Sequence, residues 1–116
     1  MCGIVGIWNH HSQRIDQSVL NRFTDSLSHR GPDGRGVMVQ DKVNLGLGHR
    51  RLAIIDLTDS GKQPMSYGDC RYWIVFNGEI YNFLELRAEL KSLGHSFYTD
   101  TDTEVVLASY VQWGHD

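Results

Sequence analysis

The chain has 116 residues, 41% of them hydrophobic and 22% charged, with a formal net charge of −3. These totals fit one folded domain with a modest core rather than a disordered chain, and the mild acidity gives no reason to expect nucleic acid or an anionic membrane surface as a partner. No apolar run approaches the roughly 18 residues that span a bilayer. The N-terminus lacks a basic segment followed by a long hydrophobic stretch, so the sequence predicts a cytoplasmic protein.

The first predicted element is a strand at Gly3–Trp8, an apolar and β-branched run that ties the terminus into a sheet. A helix is expected over residues 17–28, where Val19, Leu20, Phe23 and Leu27 recur at helical spacing behind Asp16 as N-cap. The segment from Arg30 to Gly36 holds three glycines and a proline and reads as a turn-rich loop. Two strands are expected at 37–40 and 43–49, joined by a hairpin turn at Asp41-Lys42. Another strand is expected at 52–56, followed by a polar loop from Thr58 to Met65.

Arg71–Phe76 is an aromatic and β-branched strand ending in Asn77-Gly78, a dipeptide suited to a tight turn. Asn82 and Glu85 form an expected capping box for a second helix, which carries Leu86, Leu90 and Leu93 and stops at Gly94. A short strand at 95–98 then leads to a third helix over Asp102–Trp113, with Thr101 and Glu104 as a second capping box and Gly114 as its end. This mixed order of strands and helices predicts an α/β or α+β layered domain. Nothing follows the last helix to complete a larger sheet, so a truncated domain is expected.

The two cysteines, Cys2 and Cys70, cannot make a disulfide framework. The six histidines lack metal-ligand spacing, and His10 and His11 read as structural or solvent-facing. No metal is expected. Trp8, Trp73 and Trp113 read as core or interface aromatics, and Cys70 as an inert thiol.

Five motifs stand in one order. They are Met1-Cys2-Gly3-Ile4-Val5-Gly6, Ser28-His29-Arg30-Gly31-Pro32-Asp33-Gly34, the run His49-Arg50-Arg51-Leu52-Ala53-Ile54-Ile55-Asp56, Asn77-Gly78-Glu79-Ile80-Tyr81-Asn82, and Thr101-Asp102-Thr103-Glu104-Val105. Together they resemble the N-terminal glutaminase domain of asparagine synthetases, a class II glutamine amidotransferase, over essentially the whole chain. The resemblance implies an α+β fold of the N-terminal-nucleophile hydrolase type, an αββα sandwich that is truncated here. It implies L-glutamine as substrate, no cofactor in this domain, and a C-terminal synthetase domain outside this chain that uses ATP and Mg.

Amide hydrolysis needs a nucleophile, a base, donors for the tetrahedral oxyanion and an anchor for the substrate. A cysteine at the very terminus would supply a thiol of ordinary pKa about 8.5 and an α-amine of about 7.7–8.0 on one Cα. Cys2 becomes that residue once Met1 is removed, and the amine would then act through a water. From its position alone, Cys2 reads more readily as a small buried hydrophobe at a strand end, and the downstream motifs reverse that reading.

Asn77 and Gly78 are the candidate oxyanion donors, through the Asn77 side-chain amide and the Gly78 backbone N–H. By the resemblance Arg51, not Arg50, grips the substrate carboxylate with a bidentate guanidinium, and Arg50 is expected to be exposed. Asp102 is the expected acceptor for the substrate ammonium, with Gly78 and Glu79 beside it. Asp102 could also simply complement the start of the third helix. Leu52 and Ile54 contribute backbone contacts by analogy, and Arg30 orders the nucleophile region.

The loop Arg30–Gly36 has the composition of a mobile lid and equally of an exposed turn. Glu85 and Glu104 read as helix caps rather than catalytic acids. The expected activity is release of ammonia from glutamine for aspartate amidation. The alternatives are another amide acceptor, or a non-catalytic binding or assembly module. Unpaired sheet edges and apolar faces of a truncated sandwich predict a homo-oligomer, most simply a dimer.

Overall fold

In the computed structural model Gly3–Trp8 forms strand β1, as its apolar run predicts. Helix α1 spans Gln17–Ser26, and the Asp16 carboxylate caps it by accepting from the Ser18 and Val19 N–H groups. Two strands follow, β2 at Gly34–Gln40 and β3 at Leu45–Arg51. The sheet order is β1-β3-β2, antiparallel throughout. The structure describes residues 1–53 and 58–115, and among them no helix is long and apolar enough to cross a membrane.

Glycine shapes β3, whose sequence is Leu45-Gly46-Leu47-Gly48-His49-Arg50-Arg51. Alternate strand residues face opposite sides of a sheet, so Gly46, Gly48 and Arg50 share one face and Leu47, His49 and Arg51 the other. Helix α1 lies on the glycine face. A Cβ at Gly46 would meet Leu20 and Ile15 at 3.0 and 3.1 Å, and one at Gly48 would overlap the Thr24 hydroxyl. Leu20 and Thr24 are fully buried there. Arg35 in β2 and Arg50 in β3, register partners on this same face, both reach Asp25 of α1.

The opposite face carries Ile4, Gly6 and Trp8 of β1. Ile4 is 49% and Trp8 63% exposed. Trp8 is therefore not a core residue, and Trp113 at the end of the last helix is also exposed.

These elements, with Lys62–Pro64 and Val75–Asn77, make one compact unit. The remainder makes a second. In the second unit β4 (Met65–Tyr67) pairs antiparallel with β5 (Tyr72–Ile74), and helices α2 (Phe83–Ser92) and α3 (Asp102–Trp113) follow. Leu90, Val105 and Ala108 form its core, flanked by Tyr67, Phe83, Leu86 and Phe97. Among the described residues the architecture is α+β, with two small sheets and three α-helices.

Several expectations need correction. The Asp41–Val43 connection is a 3-10 turn closed by Asn44 in the left-handed region, not a two-residue hairpin, so β3 starts at Leu45. Strand β2 starts at Gly34, three residues early, because Gly34, Arg35 and Gly36 have ladder partners in β3. The expected strand at 52–56 falls partly outside the described residues. Leu52 and Ala53 are not in a strand. Within the expected loop, Asp59–Gly61 is a 3-10 turn and Met65 begins β4.

Strand β5 is shorter than expected, covering Tyr72–Ile74, and Phe76 beyond it directs its N–H to the Gln63 side chain. Asn82 begins α2 without a side-chain cap bond, so that capping box does not form, and Leu93 is exposed. The expected strand at 95–98 is absent. Tyr98 and Thr99 instead give their backbone N–H groups to the buried Glu104 carboxylate. Thr101 does cap α3 by accepting from the Glu104 N–H, but its own N–H goes to the Thr99 hydroxyl rather than to Glu104, so only half of that capping box forms.

Replacing Gly48 by Ala should lower stability by about 1–3 kcal/mol, because the new methyl must displace α1 from the sheet. Gly6→Ala places its methyl in ordinary contact with Leu47 at 3.9 Å and should change stability by less than about 0.5 kcal/mol. Urea denaturation of the two variants checks this; equal midpoints would contradict the packing described.

Candidate active site

Residues 2, 51 and 52 meet where the sheet ends. In the β1–β3 register Gly3 lies opposite Arg50. Carried one residue back, this register puts Cys2 opposite Arg51, on the face away from α1. The Cys2 Sγ is half-buried and accepts from the Leu52 N–H at 3.3 Å, while its S–H can donate to the Leu52 carbonyl at 3.7 Å. Met1, by contrast, is 70% exposed.

The segment before β2 holds this corner together. Arg30 donates from Nε to the Cys2 carbonyl at 3.3 Å. Arg50 donates from Nε to the Gly31 carbonyl at 3.0 Å, and a Cβ on Gly31 would run into the Arg50 backbone. Asp33 makes two bonds to the end of β3. Its N–H donates to the Arg51 carbonyl at 2.9 Å, and its carboxylate accepts from the Ala53 N–H at 3.0 Å.

Two expectations change here. The Arg50 side chain is only 15% exposed, since it bridges Gly31 and Asp25 rather than reaching into solvent. The stretch Arg30–Gly36 is not a free-standing lid: its second half is strand β2, and Gly31, Pro32 and Asp33 are bonded or bridged to β3.

Asn77 is exposed and belongs to the first unit. The residue before it, Phe76, donates its N–H to Gln63 Oε1 at 2.6 Å and accepts at its carbonyl from His49 Nε2 at 3.2 Å. A carbonyl only accepts, so Nε2 bears the proton and the neutral ring leaves Nδ1 as an acceptor. Burial pushes the His49 pKa below the ordinary 6.5, the Phe76 carbonyl opposes that shift, and the Arg51 charge adds to it.

The remaining candidates lie in the second unit. Gly78 and Glu79 are exposed. Asp102, the first residue of α3, is 5% exposed and accepts from the Ile80 N–H at 2.9 Å. That bond joins the 78–80 segment to the helix start, where a carboxylate also faces the positive end of the helix dipole. Glu104 is committed to the 98–101 turn and has no catalytic geometry. Ile54 lies outside the described residues.

Cys2, Arg30 and Leu52 are thus joined by direct bonds, Arg51 is fixed between two held neighbours, and Gly78, Glu79 and Asp102 belong to the second unit. Sequence reasoning assigned no role to Asp33, His49 or Gln63. The first two stood inside the quoted motifs. Gln63 sits in a polar stretch with no pattern to single it out.

Comparison with known proteins places this geometry in context. A family model described as a glutamine amidotransferase domain matches residues 1–116. Asparagine synthetase [glutamine-hydrolyzing] 1 of Bacillus subtilis is 50% identical over 113 residues, covering 95% of this chain and 17% of that protein. Asparagine synthetase [glutamine-hydrolyzing] 3 of the same organism is 43% identical, covering 100% of this chain and 19% of that protein. Amidase chry2 of Gibberella zeae is 36% identical over 98% of the chain and 18% of its own length. The chain therefore spans under a fifth of the length of each of these relatives.

The lowered His49 pKa sets a pH dependence. Below about pH 6.5 the unfolded chain takes up a proton that the folded chain resists, so stability falls as pH drops from there toward the folded-state value. His49→Gln should flatten that part of the profile, as thermal unfolding between pH 7.5 and 5.5 would show; an unchanged slope would contradict this assignment.

Proposed function

The chain belongs to the glutamine amidotransferase domain family, and from that premise we propose that it is the N-terminal part of the glutaminase domain of a glutamine-dependent asparagine synthetase. The observation that carries this reading is the seat of Cys2, with its Sγ on the Leu52 N–H and its carbonyl on Arg30, beside Arg51 at the end of β3.

On this reading Met1 is removed and Cys2 becomes the terminal residue. The thiol proton passes through a water to the new α-amine while sulfur attacks the side-chain amide carbon of glutamine. The carbonyl oxygen becomes an oxyanion held by the Asn77 side-chain amide and the Gly78 N–H. Collapse breaks the C–N bond, the leaving nitrogen takes a proton from the α-ammonium, and ammonia departs, leaving a thioester. Water attacks the thioester with the same amine as base, and glutamate leaves as the thiol reforms.

Arg51 binds the substrate carboxylate and Asp102 its ammonium, with Gly78, Glu79 and the backbone of Leu52 and Ile54 as further contacts. Ammonia then amidates aspartate in a synthetase domain, where alone ATP and Mg are used. A relative named as an amidase shares the domain, which supports, as a second reading, the same hydrolysis serving another amide acceptor. The N-terminal-nucleophile αββα sandwich fits the first sheet, which bears a helix on one face and exposed Ile4 and Trp8 on the other. Such a face calls for a second sheet, or for a second copy of the chain.

Replacing Cys2 by Ala should abolish glutamine hydrolysis in a glutamate-release assay; retained turnover would remove Cys2 from the mechanism. Arg51→Lys keeps the charge but loses the bidentate fork, and should raise the KM for glutamine about 10- to 100-fold with little change in kcat. A KM within twofold of the parent would contradict the role given to Arg51.

A further inference from the structure

Phe76 lies past the end of β5 and immediately before Asn77, and side chains from two distant segments hold both of its backbone polar groups. The Gln63 carboxamide oxygen accepts its N–H at 2.6 Å, and the His49 imidazole donates to its carbonyl at 3.2 Å. Both side chains are buried.

The two clamps also meet each other through the sheet. Gly36 of β2 pairs with His49 of β3, and a Cβ on Gly36 would run into the Gln63 carbonyl. Glycine at 36 therefore lets the Gln63 backbone lie on the sheet next to His49, on the face that also carries Arg51. A peptide unit is planar, so holding the Phe76 carbonyl fixes the rotation of the plane that contains the Asn77 nitrogen. With the Phe76 N–H held as well, the backbone on both sides of Phe76 is fixed and with it the position of the Asn77 nitrogen and Cα.

We propose that His49 and Gln63 are positioning residues that orient Asn77 by clamping Phe76. The proposal rests on the reading of Asn77 as an oxyanion donor. Neither residue touches the substrate; His49 acts through the Phe76–Asn77 peptide unit and Gln63 through the unit before it. Neither clamp bond involves Arg51, the proposed carboxylate anchor, so loss of the clamp acts on kcat rather than on KM. Misplacing a reacting group by about 1 Å costs on the order of 100-fold in rate.

The test compares H49L, H49Q, Q63L and Q63E, each alone and combined with N77A, by glutamine turnover and by NMR of the Asn77 side-chain amide. H49L and Q63L should lower kcat by about 10- to 100-fold with KM nearly unchanged. H49Q retains an N–H donor and Q63E an oxygen acceptor, so both should recover much of that loss. In the N77A background H49L and Q63L should cost nothing further, because the group they orient is gone.

Parent-like kcat in H49L and Q63L, or an undiminished further loss on N77A, would overturn the proposal. Should H49L fail to fold, the Q63L and Q63E pair carries the same comparison. Should this part of the domain not turn over glutamine by itself, the NMR decides the clamp. Asn77 signals that shift in Q63L while those of β1 stay put sustain it, and Asn77 signals that do not move overturn it.

Discussion

The pairing of β1 with β3 is the constraint on which the remaining arrangement depends. Gly3 opposite Arg50 sets the register, and a slip of one residue would send every side chain of β1 to the other face. In the observed register Cys2 reaches the end of β3, where the Leu52 backbone meets its sulfur. The segment at Cys2, which would fray if left unpaired, is held by bonds to Arg30 and Leu52. Arg30 and Asp33 reinforce that corner from the segment before β2, one on the Cys2 carbonyl and the other on both sides of Leu52.

The two faces of the sheet divide the work of folding from the proposed chemistry. Gly46 and Gly48 flatten one face so that Leu20 and Thr24 of α1 can settle against the backbone. The other face carries His49 and Arg51, and Gly36 admits the Gln63 backbone to it. A neutral, buried His49 suits this position. It donates one proton to the Phe76 carbonyl and adds no positive charge next to Arg51. On the proposed reading, the nucleophile Cys2 and the carboxylate anchor Arg51 share one side of a three-stranded sheet whose other side is covered by a helix.

Much of this was legible in the sequence where the signal is local. The β-branched run at Gly3–Trp8, the Asp16 cap, and the Thr101 cap at the start of α3 follow from rules that span a few residues, and each forms as expected. The errors fall where distant groups override local preference. Glycines at 34 and 36 read as loop but pair with β3, because their value lies in close approach rather than in turning. The 95–98 stretch reads as strand, yet Glu104 from the following helix captures its N–H groups. Asn82 looks like a cap and makes no cap bond. Among the candidate site residues, Cys2, Arg51 and Asn77 were visible through the motifs they stand in. Gln63 was invisible, since a glutamine in a polar stretch carries no signal until the fold brings it to Phe76.

The central claim is that Cys2, freed of Met1, is the nucleophile that attacks glutamine. Treating the protein with a diazoketone analogue of glutamine and mapping the product by mass spectrometry tests that claim most directly. The account predicts one adduct, on the sulfur of an N-terminal Cys2 in a chain lacking Met1, with Cys70 unlabelled and glutamine protecting against the reaction. Labelling of Cys70 with equal ease, or an unmodified Cys2 in a Met1-free chain, would contradict it.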